Sequence, residues 1–513
     1  MHIRFDDVAF HRADSPIFSN VRLELGPGWT GVVGPNGAGK STFLSLVAGD
    51  LAATEGRIHH APTGLRVAHV PQGLDAPGTV DHAFAEADDR DAQRLRASLR
   101  TASNAIVRWP TLSPGERRRT ALAAVLWDAP DVLLLDEPEA HLDVEARAAL
   151  ADSLRRFRGV GVLVSHARWL LDALTKRILW VEGGAVRAYD GTYEVARATR
   201  EADDLARRDQ RDELGRRARA LASEEADLAR RRVSADRGIK NSQRIKGPKD
   251  SDGREAGRKG RAEMAASSIS RRQGSLGARV ARAESARDAV TVDKRLGRDI
   301  RFAVTCAPRD RLAVLEGHDL RPASDAAILL ERPSLVVRAK ARLRLAGPNG
   351  AGKSTLLRAL FASATGVGAF YLPQHLSPDE RSALARELRA TPAKDRGAWL
   401  SAAGALGTDP AQILASPEPS PGEAKKLLIA RALLRGSPVL FLDEPETDLD
   451  VPSIERLEAA LVAYDGALLL VTHDDELADA TIDEAWEIDP QARTIRFETR
   501  GSRAAEGRAH RLK

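Results

Sequence analysis

Short, unbroken apolar runs recur along this chain and alternate with stretches whose apolar residues return at helical spacing. Val132-Leu133-Leu134-Leu135, Gly161-Val162-Leu163-Val164, Val439-Leu440-Phe441-Leu442 and Leu468-Leu469-Leu470-Val471 contain no polar member. Such runs suit strands covered on both faces, as in a parallel sheet flanked by helices. Trp29 to Val33 and Leu343 to Ala346 read as strands too. Each leads through a glycine-rich loop into an apolar-periodic segment beginning Phe43-Leu44 or Leu356-Leu357. The predicted class is α/β.

The pattern changes between about Ala196 and Val290, where aromatics vanish and charge dominates. Leu214, Leu221 and Leu228 are spaced by seven with Ala218 between them; Ile269, Leu276, Ala283 and Val290 repeat the spacing around Val280. Two heptad stripes separated by a polar, glycine-containing turn predict an antiparallel helical hairpin. A first helix of about 35 residues would extend on the order of 50 Å.

The two flanking segments are repeats. Ser113 and Ser420, Asp136 and Asp443, and His166 and His473 are all separated by 307 positions. The glycine-rich loops differ by 313 and Gln72 and Gln374 by 302, so the second copy is trimmed between loop and glutamine. The boundaries expected from this are 1–192 and 296–498 for the repeats, 193–295 for the linker and 499–513 for a basic tail.

The loops carry the chemistry. Gly34-Pro35-Asn36-Gly37-Ala38-Gly39-Lys40-Ser41-Thr42 returns residue for residue as Gly347-Pro348-Asn349-Gly350-Ala351-Gly352-Lys353-Ser354-Thr355. Both fit G-x-x-x-x-G-K-[ST] in a strand–loop–helix setting, the phosphate-binding loop. Backbone N–H groups and a helix N-terminus face polyphosphate. Lys40 and Lys353 are expected on the β- and γ-phosphates, Ser41 and Ser354 on Mg²⁺. Asp136-Glu137-Pro138 and Asp443-Glu444-Pro445 close apolar strands. There the aspartate can hold Mg²⁺ and the glutamate can polarise the attacking water. His166 and His473 each end another run and are expected at the γ-phosphate. Gln72 and Gln374 would complete the metal and water shell. Ser113-Pro114-Gly115-Glu116 and Ser420-Pro421-Gly422-Glu423 are capping boxes with proline at the first helical position, which aim a second helix N-terminus at nucleotide.

Composition narrows the setting. The chain has 513 residues, enough for about three domains, with 43% apolar residues and a single cysteine, Cys306. One cysteine excludes a disulfide framework, and the first residues lack a signal-peptide pattern, so a cytoplasmic location is expected. No run of about 18 apolar residues could span a bilayer. The net charge of +5 is unevenly placed: Arg230 to Arg272 contain 14 Lys/Arg against 5 Asp/Glu, a net +9. Arg230, Lys240, Arg244, Lys246, Lys249, Arg254, Arg258, Lys259 and Arg261 surround Gly247-Pro248 and Gly253. Concentrated positive charge without aromatics favours a nucleic-acid partner met through phosphates and shape.

The order of motifs resembles the ABC-F family of paired ATP-binding cassettes, over nearly the whole chain, down to Asp190-Gly191-Thr192-Tyr193 before the linker. The resemblance implies two P-loop cassettes joined by an antiparallel α-helical hairpin, using ATP and Mg²⁺. The cassettes would close head to tail within one monomer. Site one would combine Gly34–Thr42, Gln72, Asp136, Glu137 and His166 with Ser420 and Gly422. Site two would combine Gly347–Thr355, Gln374, Asp443, Glu444 and His473 with Ser113 and Gly115. By the same resemblance, the protein acts on the ribosome: at the tRNA exit site, with the linker toward peptidyl-site tRNA and the peptidyl-transferase centre, and some members protect against antibiotics. Departures are Pro114 and Pro421 where the family has glycine, and Glu139-Ala140-His141-Leu142-Asp143 and Glu446-Thr447-Asp448-Leu449-Asp450 in place of Thr-Asn-His-Leu-Asp. Phe10 or His11 could stack on adenine in the first repeat, whereas Ala323 to Asp325 offer no aromatic in the second. Only 41 positions separate Gln72 from Ser113, little room for a long inserted arm. The alternative is a duplicated ATPase subunit of a membrane transporter, which has no use for a basic hairpin. A DNA-associated ATPase would need zinc motifs or much longer coiled coils.

Overall fold

The computed structural model describes residues 1–12, 15–74, 76–139, 144–242, 252–290, 309–317, 319–321 and 328–499, without side chains at 144–145, 234–242, 252–266 and 269. The chain forms two compact units, Met1–Ala196 with Arg295–Lys513, and Arg197–Lys294. The first unit contains both repeats.

In the first repeat β1 (His2–Arg12), β2 (Ser15–Leu25) and β4 (Glu55–Ala61) make an antiparallel sheet in the order β2-β1-β4. The main sheet, in the order β5-β6-β7-β3-β8-β9, uses β3 (Gly28–Val33), β5 (Val67–Val70), β6 (Val132–Asp136), β7 (Val160–Val164), β8 (Thr175–Glu182) and β9 (Ala185–Asp190). All pairs are parallel except β8 with β9. The second repeat begins with β10 (Arg311–Leu315) paired with β11 (Leu335–Arg338). Its main sheet runs β13-β14-β15-β12-β16-β17, built from β12 (Arg342–Ala346), β13 (Phe370–Leu372), β14 (Val439–Asp443), β15 (Ala467–Val471), β16 (Glu484–Asp489) and β17 (Thr494–Thr499). The two orders match strand for strand. Every residue of β6, β7, β14 and β15 is buried, which is why these segments tolerate no alternation of polar and apolar positions.

The sheets place the chemistry. In each repeat the phosphate loop leaves the C-terminal end of a central strand, the histidine leaves the strand beside it, and the acidic pair leaves the strand beyond that. Ligand sites of open parallel sheets lie at this edge. Covering helices include Lys40–Ala48, Pro114–Asp128 and Val144–Leu154 in the first repeat and Lys353–Ser363, Pro421–Leu434 and Val451–Ala463 in the second.

The second unit is a pair of helices, Tyr193–Ser242 and Asp252–Ala289, the first starting in the preceding unit. Ala218, Leu276, Val280 and Ala283 are buried along the seam. Arg272 meets Glu224 at 3.7 Å, and Arg232 donates to Gln273 at 3.3 Å, as antiparallel pairing requires. The first helix has 50 residues rather than about 35, a length of about 75 Å. The heptad stripe ends at Leu228, but the Arg/Ala-rich segment beyond it has no proline before Pro248, so nothing stops the helix there. Gly274 and Gly277 lie inside the second helix; a Cβ on Gly277 would stand 3.0 Å from the Glu225 carboxylate.

Lys246, Lys249, Cys306, Ala323 to Asp325, the tail from Arg500 and the segment Ala140-His141-Leu142-Asp143 lie outside the described residues. Arg258 and Lys259 fall on the second helix, with their side chains undescribed.

Candidate active site

Each phosphate loop turns on glycines with positive φ. Gly34 has φ +154°, and a Cβ there would fall 2.1 Å from the Val181 carbonyl oxygen. Lys40 is buried, with Nζ donating to the carbonyls of Gly34 (2.9 Å) and Pro35 (3.1 Å); Lys353 does the same to Gly347 and Pro348 at 2.9 and 3.1 Å. Burial pushes the Lys40 ammonium below its ordinary pKa, against the pull of Asp450, Glu137 and Asp136. A desolvated cation met by neutral carbonyls suits a polyphosphate.

Asp136 and Asp443 end their strands buried. Burial raises both carboxyls, with the hydroxyls of Ser41 and Ser354 opposing; Ser354 Oγ donates to Asp443 Oδ1 at 3.1 Å. A carboxylate and a hydroxyl, both oxygen donors in a desolvated pocket, fit Mg²⁺ shared with phosphate oxygens. No cluster of three or more His, Cys, Asp or Glu that could hold a metal by itself occurs among the described residues.

The next residue in each copy is the centre of the geometry. Glu137 and Glu444 adopt left-handed backbone, φ +50° and +45°. Strain of about 1–3 kcal/mol persists only where surroundings fix it. Here the amides donate to Val164 and Val471 carbonyls at 2.8 Å. On the other side Arg118 donates to the carbonyls of Asp136 (3.1 Å), Glu137 and Gln72. Lys425, 307 positions on, donates to the carbonyls of Glu444 (3.2 Å) and Thr447 (2.8 Å). The carboxylates are bracketed alike. Gln72 Nε2 donates to Glu137 Oε2 at 2.9 Å, and His166 Nε2 lies 3.1 Å from Oε1. Gln374 donates to Glu444 Oε2 at 2.7 Å, and His473 Nε2 lies 3.5 Å from Oε1. Burial pushes Glu137 up, but the hydrogen bond and charge of His166, with Lys40 and Arg118, bring it below its usual value; Glu444 is lowered in the same way by His473, Lys353 and Gln374. Both are held as carboxylates.

The histidine loops are fixed by glutamates. Glu139 accepts from Ser165 Oγ (2.6 Å) and the amides of His166 (2.9 Å) and Ala167 (3.2 Å). Glu446 accepts from Thr472 Oγ1 (2.7 Å) and the His473 amide (2.8 Å). In both glutamates the second oxygen, Oε2, is buried without a partner, and burial raises the carboxyl.

Ser113 and Ser420 form the expected capping boxes: Ser113 N and Oγ reach Glu116 at 2.8 and 2.7 Å, and Ser420 N and Oγ reach Glu423 at 2.9 and 2.8 Å. The first phosphate loop faces the second repeat. Asn36 N donates to Asp450 Oδ2 at 2.9 Å and Asn36 Nδ2 to the Asp448 carbonyl at 3.0 Å. A Cβ on Gly422 would stand 3.7 Å from Asn36 Nδ2. Val451 completes the contact by packing into the core of the first repeat. The corresponding loop of the first repeat, through Asp143, falls outside the described residues. Phe10 is partly buried against the core and His11 is exposed.

The sequence reading missed Arg118, Lys425 and the histidine-loop role of Glu139 and Glu446. Each pair recurs at the 307-residue offset, a signal that could have found them. Gln72 and Gln374, expected in the metal and water shell, donate through Nε2 to the two glutamates, which leaves each amide oxygen as a possible ligand.

Fold and site define a tandem P-loop nucleotide-binding protein. Residues 18–140 match the family described as ABC transporter. The chain is 31% identical to the ATP-binding protein Uup of Caulobacter vibrioides, across 93% of this chain and 76% of that protein. It is 30% identical to the tylosin resistance ATP-binding protein TlrC of Streptomyces fradiae, across 90% and 92%, and 27% identical to the ribosome protection protein VmlR of Bacillus subtilis, across 93% and 85%. An RNase-L inhibitor structure shares the fold at TM-score 0.57 and 19% identity, covering 99% of this chain and 92% of its own. The chain belongs to the ABC-F family of ATP-binding cassette proteins and binds ATP as an ATPase of that family. No helix among the described residues is long and apolar enough to cross a membrane.

Proposed function

We propose that this protein is a Mg²⁺-dependent ATPase that binds the ribosome at the tRNA exit site in an ATP-closed form and leaves on hydrolysis. The observation that carries the reading is the duplicated bracket of Gln, Glu and His, together with a first phosphate loop covered by Asp448, Asp450 and Gly422 of the other cassette. Lys40 and Lys353 bind phosphate, with the other residues of Gly34–Thr42 and Gly347–Thr355 cradling it. Ser41, Asp136 and Gln72, and Ser354, Asp443 and Gln374, would hold Mg²⁺, which would neutralise phosphate charge. Glu137 and Glu444 orient water, and His166 and His473 contact the γ-phosphate. Ser420 and Gly422 complete site one, Ser113 and Gly115 site two. The cassettes are 1–192 and 296–498, the linker 193–295 and the tail 499–513, in a monomer working in the cytoplasm.

Relatives named for ribosome protection, tylosin resistance and translational throttling support the ribosome as partner. The linker, through Lys246, Lys249, Arg258 and Lys259, meets ribosomal RNA and peptidyl-site tRNA near the peptidyl-transferase centre; growth under large-subunit antibiotics tests protection. Glu137→Gln with Glu444→Gln should retain ATP and cosediment with ribosomes. The double variant sedimenting free of ribosomes in ATP refutes the reading. Neutralising the four linker cations should weaken binding and flatten its salt dependence, and an unchanged slope removes the tip from the contact.

A further inference from the structure

The two switch histidines are held unequally. A buried glutamate anchors each within its own cassette, but the His473 loop is also gripped by the first cassette. Arg147, on helix Val144–Leu154, donates to the His473 carbonyl. Arg168, 4% exposed, splits its guanidinium fork: Nη2 donates to both Asp474 oxygens at 3.0 and 3.1 Å, and Nη1 meets Glu458 at 2.9 Å and Glu476 at 3.0 Å. Arg344, from the strand leading to the second phosphate loop, donates to the Thr472 carbonyl at 3.0 Å and pairs with Asp475 at 2.9 Å. Burial opposes the Arg168 charge, yet Asp474, Glu458 and Glu476 raise its pKa, so it stays a cation.

The mirror-image grip cannot form. At the 307-residue offset Ile454 stands for Arg147 and Asp475 for Arg168, while Ala151, Ala167 and Trp169 stand for Glu458, Asp474 and Glu476. Gly31 occupies the place of Arg344 in the first strand. Ile454 has no donor to offer the His166 carbonyl, and Ala167 has no carboxylate to be held.

We propose that Arg147 and Arg168 are positioning residues for the second switch histidine, so that ATP hydrolysis at site two requires these two helices of the first cassette to be seated, while site one has no reciprocal requirement. The inference rests on Glu137 and Glu444 being the hydrolytic glutamates. Seating holds the His473 backbone from both sides, and a shift of about 1 Å in such a group can lower a rate about a hundredfold.

Full-length protein carrying Glu137→Gln reports site two, and Glu444→Gln reports site one, by single-turnover hydrolysis of labelled ATP. Adding Arg147→Met should lower the rate about ten- to a hundredfold in the Glu137→Gln background with ATP affinity kept, and leave the Glu444→Gln background unchanged. Arg168→Gln would strand buried carboxylates and endanger folding. Arg168→Lys keeps the charge but not the fork, and should give the same one-sided loss in smaller measure. An equal loss in both backgrounds, no loss with Glu137→Gln, or a Glu137→Gln protein without any hydrolysis overturns the inference. Hydrolysis persisting in the double glutamine variant instead refutes the assignment of the glutamates.

Discussion

Asp450 offers a way to weaken cassette closure through a single side chain. Its carboxylate, 3% exposed, accepts from the Ser453 amide at 2.9 Å as the cap of helix Val451–Ala463 and from the Asn36 amide of the opposite phosphate loop at 2.9 Å; Lys426 lies 3.8 Å away. Burial raises this carboxyl, but Lys426, Ser453 and Asn36 outweigh that and hold it below the usual value of 3.8. A hydrogen bond to a charged group contributes about 1.5–3 kcal/mol, and the neutral equivalent about half of that. Asp450→Asn keeps an equally good helix cap, so the capping contribution survives. The cross-cassette bond then loses about 0.75–1.5 kcal/mol, a fall of about four- to twelvefold in the closed population. The assay is retention of ATP by the Glu137→Gln, Glu444→Gln protein on gel filtration, titrated with ATP, beside a thermal melt. The midpoint should rise by that factor, and Tm should fall as well, because Asp450→Asn leaves the buried Lys426 ammonium without its carboxylate. Because the folded-state pKa is depressed, the carboxylate's contribution is present above pH 3.8 and lost only as pH falls through the lower folded value, so neutral pH suits the comparison. An unchanged midpoint would refute the claim that this bond closes site one.

Three further outcomes are expected. Glu139 is an acid whose pKa burial raises; its stabilising contribution is therefore complete below its ordinary value of 4.5 and lost as pH rises through the raised one, so Glu139→Gln should flatten the decline of Tm with pH, and an unaltered profile would show that Glu139 is not ionising in that window. Removing divalent cations with EDTA should abolish hydrolysis, and Asp136→Asn should abolish it at site one alone; turnover surviving EDTA would exclude Mg²⁺ from the roles given to Ser41 and Asp136.

Much of the site was legible because its chemistry is contiguous. A phosphate loop needs its glycines, lysine and serine within nine positions, and a strand buried on both faces shows itself by admitting no polar residue. The duplication doubled each signal: His166 alone is one histidine after an apolar run, but His473 at the same offset makes it a part of the machine. The partner of Gln72 was not legible. A proline-flanked glutamine in a loop does not disclose which carboxylate it will face, and the structure puts its amide on Glu137. The first linker helix ran past its heptads because helix length follows the absence of breakers, whereas the stripe marks only where the partner helix lies.

By itself the sequence determined the α/β class, two nucleotide loops with their acidic strands and histidines, and a helical linker with a basic centre, since these depend on neighbours in the chain and on a repeat offset. Only the tertiary structure decided which side chains meet across the cassettes. Arg168 is one exposed-looking arginine among many until helices 290 residues apart in sequence bring Glu458 and Asp474 around it. Left-handed backbone at Glu137 and Glu444 was equally invisible, because local propensity argues against it and only bonds to Val164, Val471, Arg118 and Lys425 hold it in place.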